Sequence, residues 1–224
     1  MTVRFPVIAF DLDGTLLRGT TTSLVLARSM GHAAAVTELE RAYDAYEIDN
    51  VTFANREAAL FTGLGPGDVR HHLRDAPWIG GVAETLDTLA AAGAHLLLAT
   101  LAWRFAGEQL PHAHRFAAIS GAEMSYAGGR LTGRVGRHLS EQGKLEFVAQ
   151  WCAAHGYALG DVAAVGDSRS DLPLFREAGT AIALNASAAA RDAADHVVDT
   201  EDLRDLLPLL IPGSGTRYPP RHEW

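Results

Sequence analysis

The sequence predicts an α/β fold, a doubly wound, mostly parallel sheet with a helical block inserted after its first strand. Three observations carry that expectation. Val7-Ile8-Ala9-Phe10 is an apolar run that ends on Asp11 and, two residues later, Asp13, as a buried parallel strand would with polar groups at its carboxyl end. From Gly80 onward, apolar runs alternate with helical sequence, the order that builds a parallel sheet covered by helices. Between these regions, Thr20 to about Asp75 reads as successive helices with no strand pattern, so it belongs beside the sheet.

Taken in order, Gly14 turns the chain out of the first strand. Residues 22–30 begin on Thr and Ser and stop at Gly31, a helix with both end signals. Helices are expected over 33–47, 51–61 and 68–74. Residues 81–90 form an amphipathic helix closed at Gly93, and 95–100 a second buried strand. A helix over 103–112 and a short strand over 116–119 follow, then a hairpin with arms 124–127 and 130–135 around Gly128-Gly129. Residues 145–155 read as a helix, 162–167 as a strand ending in an acid, and 181–185 and 196–198 as the last strands. The Gly- and Pro-rich residues 212–224 are expected to be a flexible tail.

Composition narrows the function. With 48% hydrophobic residues in 224, the chain can build a full core. Its formal net charge of −8 and lack of a basic stripe argue against nucleic-acid binding. No stretch could span a bilayer, and the opening residues 1–6 lack a signal peptide's apolar region. The single cysteine, Cys152, cannot form an internal disulfide and fits a reducing compartment. A cytoplasmic protein is therefore expected.

Chemistry concentrates at one sheet edge. Three predicted strands end in polar groups: Asp11 and Asp13, then Thr100, then Asp167. Ligand crevices in open parallel sheets lie beyond the carboxyl ends of the strands. Lys144, near a helix start, and Asp171, four residues past Asp167, extend the set. Several carboxylates can hold a hard divalent cation such as magnesium. With a lysine and main-chain N–H groups, that cation can neutralise a phosphate. Asp11 is then a candidate nucleophile, because carboxylates can form aspartyl-phosphate intermediates.

The segments Asp11-Leu12-Asp13-Gly14-Thr15-Leu16, Thr100, Lys144 and Gly166-Asp167-Ser168-Arg169-Ser170-Asp171 resemble the four ordered motifs of the haloacid dehalogenase superfamily. The layout to Leu210 is similar to its phosphoserine phosphatase branch, including 171–179. The resemblance implies a Rossmann-like core over 1–18 and 78–211 and a C1-type helical cap over 19–77. It implies Asp11 as nucleophile, Asp13 as general acid and then general base, and Thr100 and Lys144 as phosphate-binding residues. Magnesium would sit on Asp11, the Asp13 carbonyl and Asp167, with Asp171 close behind.

The sequence departs from the branch where substrate is chosen. Serine-specific members carry a Glu shortly after the first motif, whereas 18–23 hold no acid and place Thr20 there. The cap arginine expected about two turns after Phe53 falls near Leu60, with Arg56 one turn earlier. Leu101-Ala102-Trp103 replaces a glycine pair, and Ser168 and Ser170 replace a glycine and an asparagine. Thr20, Leu101 and Arg56 are therefore candidate substrate contacts, and Leu101 and Trp103 imply a less polar leaving group. The expected partner is a small phosphorylated metabolite other than phosphoserine, with a homodimer as a possible assembly. Phosphoserine hydrolysis proper, phosphoryl transfer to an alcohol and non-catalytic binding of a phosphate ligand are the alternatives. A dehalogenase is disfavoured, because that chemistry needs neither Asp13 nor magnesium. His71, His72, His112 and His114 are expected to be surface or loop residues, and Phe147 and Trp151 core. Tyr43 and Tyr46 either line the cavity or pack the bundle.

Overall fold

The computed structural model describes residues 2–213; most of the expected tail, 214–224, lies outside that range. Six strands, β1 (Val7–Phe10), β2 (His95–Leu98), β3 (Ala118–Ile119), β6 (Val162–Gly166), β7 (Thr180–Leu184) and β8 (His196–Val198), form one sheet in the order β3-β2-β1-β6-β7-β8. Every pairing in it is parallel. The chain grows from β1 first to one side and later to the other. The switch point therefore falls between β1 and β6, and a doubly wound sheet opens its ligand crevice there.

Side-chain alternation explains why helices cover both faces. Ile8, Phe10, Leu96, Leu98, Ala163 and Val165 point to one core, which includes Leu86 and Leu89 of α5 (Val82–Ala91). Val7, Ala9, Leu97, Ala99, Val162 and Ala164 point to the other. That second core is closed by Val148 and Cys152 of α7 (Glu141–His155), by Leu174 and Phe175 of α8 (Leu172–Glu177), and by Ala190 of α9 (Ala188–Ala193). Phe147 and Trp151 pack partly buried on this face, as their helical spacing predicts.

The inserted block contains α1 (Thr22–Ser29), α2 (Ala33–Asp44), α3 (Asn50–Leu60) and α4 (Pro66–Leu73). Local signals set its ends. Thr21 caps α1 by accepting from the Leu24 N–H at 3.0 Å, and Asp49 caps α3 through the Thr52 N–H at 2.7 Å. Leu26, Val36, Ala58, Phe61, Val69 and Leu73 join the same core as the Ile8 face of the sheet.

One expectation needs correction. The helix predicted over 103–112 is only one turn, α6 (Arg104–Gly107). Trp103 instead forms a bridge with Ala122, and the Arg104 N–H donates to the Ala122 carbonyl at 2.9 Å, so tertiary pairing overrides the local pattern. The hairpin of β4 (Glu123–Ala127) and β5 (Arg130–Arg137) turns through Gly128-Gly129, both at positive φ. It hydrogen-bonds to the inserted block. The Gly63 N–H donates to the Leu131 carbonyl and the Leu131 N–H to the Leu64 carbonyl, both at 2.8 Å. Among the described residues no helix is long and apolar enough to cross a membrane.

Candidate active site

Asp11 is the first residue past β1, and its N–H donates to the Val165 carbonyl of β6 at 2.8 Å. This fixes it at the switch point, almost fully buried. Its Oδ1 lies 3.1 Å from Nζ of Lys144, which α7 holds 1% exposed beneath the crevice. That same Oδ1 accepts no hydrogen bond. Asp171 lies on the other side of Lys144 and is equally buried. Its Oδ1 accepts from Nζ, and its Oδ2 accepts from the N–H groups of Asp167 and Ser168 at 3.0 and 3.1 Å. Both oxygens are thus engaged, so Asp171 holds the loop and the lysine in place.

Asp167 follows β6, and its Oδ1 accepts from the Thr15 hydroxyl at 3.0 Å. Gly14, at φ 82°, lets the two loops meet; a Cβ there would lie 2.3 Å from Asp167 Oδ2. Asp11, Asp167 and Asp171 each offer a carboxylate oxygen, and the three lie within 4.8 Å of one another. Three carboxylates face one ammonium, and one oxygen has no hydrogen-bond donor. That oxygen-only, charge-deficient set fits a hard divalent cation.

Asp13, though only two residues from Asp11, turns toward the helical block. Its Oδ1 accepts from the Thr22 N–H at 2.7 Å and its Oδ2 from the Thr22 hydroxyl at 3.2 Å. The two acids consequently differ. Burial pushes the Asp11 carboxyl up, but the nearby Lys144 charge opposes this and leaves it at about 6. Burial lifts Asp13 to about 8, with the Thr22 contacts opposing. Burial, with Asp11 and Asp171 nearby, likewise raises Asp167 well above the usual carboxylate range. Burial alone would lower Lys144, yet Asp11 and Asp171 outweigh it and keep the ammonium charged.

Thr100 lies past β2 in a loop pinned by Ser120. The Thr100 N–H donates to Ser120 Oγ at 2.8 Å, and the Ser120 hydroxyl donates to the Thr100 carbonyl at 2.8 Å. Thr100 Oγ1 accepts from the Ala102 N–H at 3.1 Å, which leaves its own proton to donate. A cavity of about 620 Å³ opens above these groups, with Asp11, Asp13, Thr20, Thr100, Leu101 and Asp167 in its lining. Lys144 and Asp171 form the buried layer below. Arg56 is the exception. It is exposed on the solvent face of α3 and does not line the cavity, because Ala54, Glu57 and Ala58 take the inward face.

A family model for haloacid dehalogenase-like hydrolases matches residues 8–176. The chain belongs to that family. Among curated relatives, phosphoserine phosphatase SerB2 of Mycobacterium tuberculosis is 30% identical over 210 residues, 91% of this chain and 50% of that protein. The chain thus spans about half the length of the first relatives it matches. A phosphoserine phosphatase of Idiomarina loihiensis is 26% identical and is covered over 93% of its length. A substrate-bound phosphoserine phosphatase structure superposes with a TM-score of 0.80 at 23% identity, covering 92% of this chain and 98% of that one. This last likeness speaks to the fold.

Set beside its family, the inserted block contributes residues that sequence reasoning missed. Glu40 of α2 and Glu57 of α3 line the cavity. Glu57 is 2% exposed, and its Oε2 accepts from Trp103 Nε1 at 2.6 Å. Trp103 is therefore a hydrogen-bond donor at the wall. The signal was present in α3: Ala54, Ala58 and Phe61 mark the buried face, and Glu57 falls on it. Burial raises Glu57 from 4.5 to about 7, with Ser23 and Trp103 opposing and Glu40 adding to the rise. The folded state thus keeps a proton that the unfolded chain loses, and stability must fall as pH rises through that window. Glu57→Gln removes this loss; from pH 5 to pH 8 the variant should lose less stability than wild type, by up to about 3 kcal/mol in urea unfolding. Equal losses in both proteins would refute it.

Tyr43 both lines the cavity and clamps the block to the core. The Arg169 guanidinium sits 3.9 Å from the Tyr43 ring centroid and 4.0 Å from that of Tyr46. Arg169 also donates to the Tyr43 carbonyl at 3.0 Å and pairs with Glu141 at 3.2 Å, and the Tyr43 hydroxyl donates to Glu141 at 2.5 Å. Because Arg169 belongs to the Asp167–Asp171 loop, the clamp ties the inserted block to the acidic cluster. Arg169→Ala should speed amide hydrogen exchange in α2 while exchange in β1 and β6 stays slow. Unchanged exchange in α2 would show that the clamp holds nothing. His71, His72, His112 and His114 take no part in any metal-competent cluster among the described residues.

Proposed function

We propose that this chain is a magnesium-dependent phosphomonoesterase that hydrolyses a small phosphorylated metabolite through an aspartyl-phosphate on Asp11. The observation that carries this reading is the division of labour between two neighbouring carboxylates. Asp11 lies beside Lys144 and the acidic cluster, while Asp13 is turned away and held by Thr22. A nucleophile must be ionised and a general acid must hold a proton. Asp11 at about 6 and Asp13 at about 8 suit those two tasks near neutral pH.

In this reading the phosphate lies against Asp11, with Lys144 and the Thr100 hydroxyl neutralising and orienting its oxygens. Asp11 attacks phosphorus as the bond to the leaving oxygen breaks, and Asp13 gives that oxygen its proton. Asp13 then takes a proton from water, which attacks the phosphorus and frees Asp11. Asp11 and Asp167, with the main-chain carbonyl of Asp13, would hold magnesium, and Asp171 would support them. When bound, magnesium supplies positive charge for the phosphate oxygens. The segment 19–77 acts as a cap that excludes water, and its residues meet the leaving group. The names of the curated relatives support a phosphatase, and a cytoplasmic setting belongs to the same reading.

Phosphate release from a panel of phosphomonoesters, with magnesium and then with chelator, tests this. Turnover in magnesium that chelation abolishes and magnesium restores is expected. A chain that releases no phosphate from any ester, or releases it equally in chelator, is not this enzyme.

A further inference from the structure

The cavity has two chemically different ends. Its floor carries the Asp11, Lys144 and Asp167 machinery. Its roof is acidic: Glu40 and Asp44 come from α2 and Glu57 from α3. Among the described residues none of the three forms an ion pair, and the one basic charge that acts on them is Arg28, near Glu40. Glu57 Oε2 accepts from the Trp103 indole, Ser23 is its other polar neighbour, and Oε1 is buried without a hydrogen-bond partner. Glu40 accepts from the Thr21 hydroxyl at 2.5 Å. Arg18 alone among the lining residues is cationic, and it pairs with Glu201 outside the roof. Lys144 is already divided between Asp11 and Asp171.

Glu57 is the buried one of the three acids; a buried acid without a counter-charge is costly, and a ligand that brings the charge recovers that cost on binding. A leaving group that brings a second carboxylate is poorly answered, because Arg18, the one cation in the lining, already pairs with Glu201 and has only its Nε without a partner. We propose that the roof is a subsite for a positively charged nitrogen, so that the substrate is the phosphate ester of an amino alcohol without a carboxylate. The ammonium lies between Glu57 and Glu40, and the rings of Phe53 and Trp103, which line the same wall, shelter it. Glu57 and Glu40 are specificity residues in this scheme, because the phosphoryl chemistry at Asp11 is the same for any alcohol. The raised proton affinity of Glu57 agrees with an acid waiting for a cation. The proposal rests on the phosphomonoesterase reading for its reaction, and on the roof alone for its ligand.

The test uses phosphoethanolamine, glycerol phosphate of similar size without charge, and phosphoserine, which adds a carboxylate. For wild type, kcat/KM is expected to favour phosphoethanolamine over both by at least about tenfold, the value of one charge-assisted hydrogen bond. Glu57→Gln and Glu40→Gln should each collapse that ratio toward one through KM for phosphoethanolamine. A preference for glycerol phosphate or phosphoserine overturns the proposal, as does a variant that slows all three esters equally. Ethanolamine itself supplies a readout independent of turnover. With inorganic phosphate present it should raise the melting temperature of wild type more than glycerol does, and Glu57→Gln should lose that difference. If no ester is hydrolysed but this ethanolamine shift appears, the reaction fails and the cation subsite stands. If esters are hydrolysed but ethanolamine and glycerol act alike, the subsite fails and the reaction stands.

Discussion

Asp11→Asn is expected to abolish phosphate release from every ester, lowering kcat by at least about a thousandfold. The amide has nearly the shape of the carboxylate but no lone pair basic enough to attack phosphorus. The fold should survive, because the Asp11 N–H still bonds to Val165 and the side chain still fills the same space. Stability should rise slightly. Asp11 is one of three crowded acids and adds to the raised affinity of Asp167 for protons, so removing its charge relieves a repulsion. Rapid acid quenching during turnover should trap phosphorylated protein from wild type and none from the variant. Undiminished turnover in Asp11→Asn would assign the nucleophile to another group.

The floor of the site was legible in the sequence and the roof was not, for a physical reason. Asp11, Thr100 and Asp167 each stand just past a parallel strand, and strand ends can be read from short apolar runs. Once β1, β2 and β6 are parallel neighbours, their carboxyl ends must converge. Lys144 needed more, because a lone lysine near a helix start is usually solvated; its burial follows from the pairing with Asp11 and Asp171. The roof depends on how α2 and α3 rotate over the crevice, and neither helix directly follows or precedes a strand in the sequence. Counting residues from Phe53 fell near Leu60 and left Arg56, one turn earlier, as the candidate, whereas the face containing Ala54 and Ala58 turns Glu57 inward and Arg56 out. The donor role of Trp103 was hidden similarly, because its Nε1–H acquires a partner only when α3 is in place. The short α6 shows the same limit: its periodic sequence loses to a bridge with Ala122 from a distant part of the chain.

Lys144→Met should have the largest combined effect. Among the described residues no other cation pairs with the cluster, so the substitution leaves Asp11, Asp167 and Asp171 beside one another with no paired counter-charge. Removing one partner of a buried ion pair costs about 3–5 kcal/mol, and here one ammonium serves two carboxylates. The loss should be greatest near neutral pH and smaller near pH 5, because carboxylates without their lysine take up protons and cease to repel. Activity should vanish at both values. The uptake of protons that rescues the fold also disarms Asp11 as a nucleophile, and the phosphate loses its nearest cation. Asp171→Asn in the same chain separates the two roles. The double variant should recover 1–3 kcal/mol relative to the sum of the single changes, roughly the range for residues in direct contact. It should recover no turnover. Urea unfolding at the two pH values, with phosphate release measured beside it, decides the matter. Strict additivity would mean that Lys144 and Asp171 act independently. Turnover restored by Asp171→Asn would mean that Lys144 only offsets a neighbouring charge and has no part in holding the phosphate.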